Sequence, residues 1–107
     1  MRDRKEAQAK AKALVAQMTV EEKASQLKYD APAIERLGVP AYNWWNEALH
    51  GVARAGTATM FPQPVAMASM FDEAVMQKIG DVVATEARAK YNEAVKHGDR
   101  DIYKGLT

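Results

Sequence analysis

The sequence contains no cysteine. A disulfide framework and a thiolate metal site are therefore both excluded, and the redox compartment is left open. It also lacks a charge excess. Fifteen Lys and Arg stand against 14 Asp and Glu, a net charge of +1 with the two signs interspersed. Electrostatics at that level make no case for nucleic acid or an anionic membrane as partner. No apolar run approaches the length of a membrane span. The N-terminus, MRDRKEAQAK, is highly charged and lacks the apolar h-region of a secretory signal. The expectation is a soluble, cytoplasmic protein, or a mature chain whose signal is not included. Histidine is scarce as well. His50 and His97 lie far apart with no further ligand at useful spacing, so no metal and no cofactor is expected.

What the 107 residues do hold is mostly helical pattern. That length favours a single domain with little stability to spare. Residues 5–17 are rich in strong helix formers, with Ala7, Ala11, Leu14 and Val15 near one face. Thr19 followed by Glu22 fits a capping box and predicts a second helix from Val20 to about Lys28, burying Val20, Ala24 and Leu27. Pro32 suits the first turn of a short helix through Arg36 and Leu37, stopped by Gly38 and Pro40. The Pro62-Gln63-Pro64 run argues against regular structure before Val65. Asp72 is a good N-cap for the clearest helix, 72–97, with Val75, Met76, Ile79, Val82, Val83, Ala87, Tyr91 and Ala94 at helical spacing and Gly98 as stop. Met60, Met67, Met70 and Met76 are expected to fill gaps beneath it. Asp72 and Glu73 read as helix-start chemistry rather than a catalytic pair. Asp99 and Asp101 read as a solvated turn. Residues 102–107 look like a lead-in to a further strand.

One stretch departs from this pattern. YNWWNEALHG, residues 42–51, holds both tryptophans and one of the two histidines. Ala41 to Trp45 is short, aromatic and bounded by turn signals, so it reads as a strand. In a regular strand Trp44 and Trp45 point to opposite faces. One then packs against a neighbour and the other is free to face a site, and nothing in the sequence chooses between them. Glu47 to Arg54 follows as a loop or helical turn. Taken alone, Glu47 is a solvated loop residue. Asn43 and Asn46 read as turn and loop-bonding residues. His50 reads as a structural residue bonding backbone around the loop. Arg54 either bonds loop carbonyls or is solvated. A lone strand cannot satisfy its backbone groups, so it needs a partner outside its own segment.

Three segments taken in order, MTVEEKASQL, LGVPAYNWWNEALHGV and MFPQPVAMASMFDEAVMQKIGDVVATEARA, resemble the N-terminal part of family 3 glycoside hydrolases. The β-xylosidase-like members are most similar and the β-glucosidases come next. The resemblance runs from about residue 15 to the end of the chain.

The resemblance implies the start of a (β/α)8 TIM-like barrel in a longer parent enzyme, with this segment mostly α. Residues 5–28 would be leading helices, 41–54 the first strand and substrate loop, and 72–97 the long helix. Glu47 would follow the C-terminal end of a barrel strand, where such folds place active sites. By that likeness it hydrogen-bonds sugar hydroxyls in the subsite for the non-reducing-end sugar, beside Trp44 and Trp45. The chemistry is consistent: hydroxyls donate to a carboxylate, and the apolar C–H faces of a sugar pack on indole. A Trp near the C5 substituent would favour a pentose over a hexose, by about 1–3 kcal/mol for one pocket clash. The partner implied is a β-linked xylose or glucose saccharide.

A retaining enzyme of this kind needs two carboxylates roughly 5–5.5 Å apart. The motifs that carry them in the family do not occur in this sequence, nor does the Asp-Pro-Arg-Trp-Gly-Arg loop. No catalytic residue is assigned, and the 107-residue chain by itself is expected to be inert. The alternative is a standalone helical protein-interaction module. An isolated barrel fragment would leave apolar faces uncovered and self-associate, whereas a module would be monomeric with a cooperative melt.

Overall fold

The structure is a computed structural model that describes residues 3–105. It is mostly helical, and the chain divides into two compact units, Met1–Asn43 and Trp44–Thr107.

The first unit opens with helix α1, Arg4–Gln17, close to the span expected. Asp3 caps it, its carboxylate accepting from the Lys5 N–H at 2.9 Å. Helix α2, Val20–Ser25, begins on the expected capping box. The Glu22 N–H donates to Thr19 Oγ1 at 3.2 Å, and the Thr19 N–H donates to Glu22 Oε2 at 2.8 Å. The helix ends earlier than residue 28. Ser25 donates its hydroxyl to the Glu22 carbonyl, and Gln26 Nε2 reaches the Pro32 carbonyl at 2.9 Å. Those bonds draw the chain into a turn. The expected buried face is not formed: Val20 is 75% and Leu27 83% exposed, and Ala24 is exposed as well. A helix of six residues offers too short a stripe to define a core face. The buried residues of this unit are Ala31 and Ile34, from extended and turning backbone.

The partner of the short strand also lies in this unit. Strand β1, Asp30–Ala31, pairs antiparallel with β2, Tyr42–Asn43, in the register Asp30↔Asn43 and Ala31↔Tyr42. Ile34 and Val39 exchange backbone bonds at 2.9 and 3.2 Å. Between them lies a 3-10 turn, Glu35–Leu37, ended by Gly38 in the left-handed conformation. Pro32 precedes that turn instead of opening it, and the strand expected over 41–45 is two residues long.

Arg36 is the cross-link of the unit. Its Nε donates to Glu22 Oε1 at 2.8 Å, its Nη2 contacts Glu22 Oε2, and Nη2 also donates to the Gln17 carbonyl at 2.9 Å. One guanidinium thus joins the end of α1 to the start of α2. The Arg36 guanidinium, followed by the Thr19 N–H, pulls the Glu22 carboxyl down to about 2.

The second unit is built around helix α4, Glu73–Lys96, with the expected Asp72 cap accepting from the Val75 N–H at 3.0 Å. Its apolar stripe is only partly used. Ala87 is buried, Val75, Ile79, Val83, Tyr91 and Ala94 are half-buried, and Met76 and Val82 stay exposed. Of the four methionines expected to fill gaps, only Met67 is buried; Met60, Met70 and Met76 are exposed. Met67 sits on α3, Pro64–Ala68, where Pro64 takes the first helical position. α4 also makes polar contacts. Glu86 accepts from the Thr59 N–H at 3.0 Å and from its hydroxyl at 2.6 Å. Lys90 Nζ donates to the carbonyls of Ala55 at 3.2 Å and Thr57 at 2.6 Å. Gly105 lies against the same stretch with φ +90°, so close that a Cβ there would stand 2.3 Å from the Ala87 carbonyl oxygen. Residues 102–104 form a turn closed by a 2.8 Å ion pair between Lys104 and Asp99, so that stretch is not strand. Leu106 and Thr107, the end of the expected strand lead-in, lie outside the described residues.

Two glycines of this unit give opposite expectations. Gly105→Ala should destabilise it by more than about 2 kcal/mol, through overpacking and an unfavourable φ. Gly80→Ala, in mid-helix with open space at the Cβ position, should stabilise it by up to about 1 kcal/mol. Urea unfolding followed by Trp fluorescence reads both. In the first unit the Glu22 carboxyl is depressed in the folded state. Its stabilising contribution is therefore complete above the ordinary value of 4.5 and is lost as pH falls from there through about 2. Carboxyl-carbon NMR titration should show that low midpoint, and Arg36→Gln should return most of it upward.

Candidate functional site

The carboxylate and the aromatic pair singled out from the sequence lie on one loop, residues 44–47. β2 ends at Asn43, so Trp44 and Trp45 are not strand residues and do not alternate across a sheet. Both are about half exposed, at 49% and 47%. Neither is the fully packed partner that a regular strand would have required. Glu47 follows two residues later, with a partly accessible side chain.

The loop is held from the far end of the unit. The Tyr103 N–H donates to the Trp45 carbonyl at 3.1 Å. The Gly105 N–H donates to Asn46 Oδ1 at 3.2 Å. Asn46 is thus the loop-bonding residue that its type suggested. The next residue, Glu47, faces Arg54: Nη1 donates to Oε2 at 3.4 Å. The Arg54 guanidinium also lies over the Tyr103 ring, 4.9 Å from its centroid. Arg54 sits on a 3-10 turn, Ala53–Ala55, which brings it back toward Glu47. Its side chain is solvated, one of the two expectations, and it also pairs with a carboxylate and a ring. Tyr103 was missed entirely. Nothing local marks a tyrosine that lies 58 residues from the carbonyl it bonds. His50 joins the loop through its main chain, its carbonyl accepting from the Phe61 N–H at 2.8 Å.

A loop that carries a partly accessible carboxylate and two half-exposed indoles can accept hydrogen bonds from hydroxyls and offer flat apolar surface. The one printed partner of this carboxylate among the described residues is Arg54. Asp72 and Glu73 lie elsewhere, on an open groove of about 540 Å³ between α3 and α4 that Met67, Phe71 and Met76 also line. Asp72 is occupied there as the cap of α4. Among the described residues no group of three His, Asp or Glu could hold a metal ion. No helix of the described residues is long and apolar enough to cross a membrane. Asn46→Ala removes the acceptor of the Gly105 N–H, so hydrogen exchange at Gly105 should quicken about tenfold, the effect of one lost hydrogen bond.

The sequence has clear relatives. It is 47% identical over 94 residues to a probable exo-1,4-β-xylosidase of Aspergillus flavus, a match covering 78% of this chain and 12% of that protein. It is 46% identical over 99 residues to probable β-D-xylosidase 7 of Arabidopsis thaliana, covering 83% of this chain and 13% of the relative. It is 47% identical over 79 residues to a xylan 1,4-β-xylosidase of Xylanibacter ruminicola, covering 74% and 9%. A match spanning 78% of 107 residues cannot avoid the middle of the chain, so it takes in residues 44–54. No protein-family model matches the chain, and no solved structure matches it. The chain spans only about an eighth of the length of the first two relatives. In sequence it is similar to a short stretch of proteins named as β-xylosidases, the group its motifs pointed to.

Proposed function

We propose that this chain supplies part of the sugar-binding site of a retaining, exo-acting family 3 glycoside hydrolase that releases β-linked xylose from the non-reducing end. The observation that carries the proposal is the loop 44–47. Within a stretch matched to β-xylosidases, it presents a carboxylate beside two half-exposed tryptophans. Glu47 accepts from sugar hydroxyls, and Trp44 or Trp45 packs on the C–H face. The catalytic carboxylates lie in the remainder of a longer protein, as does most of the (β/α)8 barrel. That barrel rests on the family resemblance; the pairing seen here is a two-residue antiparallel one. Glucose is the second substrate the resemblance allows, and the names of the relatives favour xylose.

The proposal also accounts for apolar side chains that the chain leaves uncovered. Val65 and Phe71 are 76% and 94% exposed, and in the relatives most of the polypeptide lies outside the matched stretch. Alone, the chain is expected to self-associate through such surfaces.

Titration of the chain with methyl β-D-xylopyranoside, followed at the Trp44 and Trp45 indole NMR signals, tests the binding role. Shifts are expected at one or both indoles, with Glu47→Gln weakening binding about tenfold or more, as for a lost charged hydrogen bond. Silent indoles throughout the titration would count against it. Nitrophenyl β-xyloside should not be hydrolysed by this chain, and measurable turnover would overturn the placement of the catalytic groups elsewhere.

A further inference from the structure

We propose that Arg54 is a positioning residue for the Glu47 carboxylate, and that Tyr103 positions Arg54. The proposal rests on the sugar-binding reading of Glu47. An exposed ion pair alone does little to order two long side chains. Here the guanidinium is restrained on two sides. Its face lies 4.9 Å from the Tyr103 ring centroid, and its Nη1 lies 3.4 Å from Glu47 Oε2. The guanidinium is planar, so it can stack through a face and donate from its edge at the same time, and the two contacts use it in both ways.

The ring is itself held in place. Tyr103 has φ +59°, a left-handed conformation that is uncommon for a residue with a side chain. In that conformation its N–H bonds the Trp45 carbonyl, and two residues later the Gly105 N–H bonds Asn46. Residues 45, 46 and 47 are therefore all restrained by residues 103–105, the last of them through Arg54. The contact to Glu47 is a single long one on one oxygen, not a tight two-point fork. A carboxylate has about four acceptor sites, so one such contact leaves it able to accept from hydroxyls while limiting its rotation. Arg54 acts by ordering Glu47 before the sugar arrives, which reduces the cost of ordering on binding.

The test is a set of variants of the 107-residue chain, read by methyl β-D-xylopyranoside titration and by the NMR signals of the Arg54 side chain. In the parent chain the Arg54 Nε–H should be resolved and its Cδ protons shifted by the ring current of Tyr103. Tyr103→Leu should abolish both features, and Tyr103→Phe should retain them. Arg54→Gln should weaken xyloside binding about five- to tenfold, and Tyr103→Leu should weaken it in the same direction. The double variant should bind no worse than Arg54→Gln alone, because both changes remove one device. Additive losses would mean that Arg54 and Tyr103 act separately and would overturn the proposal. So would undiminished binding in Arg54→Gln alongside lost binding in Glu47→Gln. If Tyr103→Leu unfolds the chain, Arg54→Lys decides. It keeps the charge but not the planar stack, and binding equal to the parent would overturn the proposal. Absence of any xyloside response in the parent chain is a separate result, which removes the sugar-binding reading and this proposal with it.

Discussion

The second unit depends on a single turn of α4. Glu86 and Lys90, four residues apart and so on one helical face, grip the loop 55–59 from its N–H and carbonyl sides respectively. Between them Ala87, buried and small, leaves room for Gly105 to lie against the helix backbone. One turn therefore anchors both the loop that follows Arg54 and the segment that carries Tyr103. These two segments in turn hold the loop 44–47. The placement of that loop thus traces back to three helix residues, Glu86, Ala87 and Lys90.

Polar cross-links dominate because the apolar core is small. Among the described residues Ala31, Ile34, Val52, Met67 and Ala87 are the buried hydrophobic ones, and two of the five are alanine. Burial on that scale is little to set against the conformational entropy of a hundred residues. The first unit is organised in the same way. Glu22 completes the capping box of α2 and accepts Arg36, which in turn bonds the end of α1. Charge-assisted bonds of this kind fix geometry well but exclude little water. Valine, leucine, methionine and phenylalanine side chains stay exposed around that small core.

Much of the local structure was legible beforehand. Asp72 and Gly98 bracket α4 because a carboxylate satisfies free N–H groups at a helix start and glycine accepts the left-handed turn at its end. Thr19 and Glu22 set the start of α2 for a related reason. The motif stretches pointed to β-xylosidases, and the named relatives agree. The extent of α2 was misread because competition from Ser25 and Gln26 for backbone groups is not visible in an apolar spacing. Glu47 stood out by its company, two tryptophans and a histidine in ten residues. The residue that faces it did not, since Arg54 is one of many charges in the chain.

By itself, then, the sequence determined where helices start, which stretch is unusual, and which proteins it resembles. These follow from contacts within a few residues, or from similarity spread over most of the chain. Only the tertiary structure decided that Tyr42–Asn43 pairs with Asp30–Ala31, that Trp44 and Trp45 leave the strand, and that Arg54 spans from Glu47 to Tyr103. The strand pairing and the stack of Arg54 on Tyr103 join residues well apart along the chain. Their meeting depends on how turns at Gly38, Ala53–Ala55 and residues 102–104 add together, and no spacing rule in a single sequence encodes that sum.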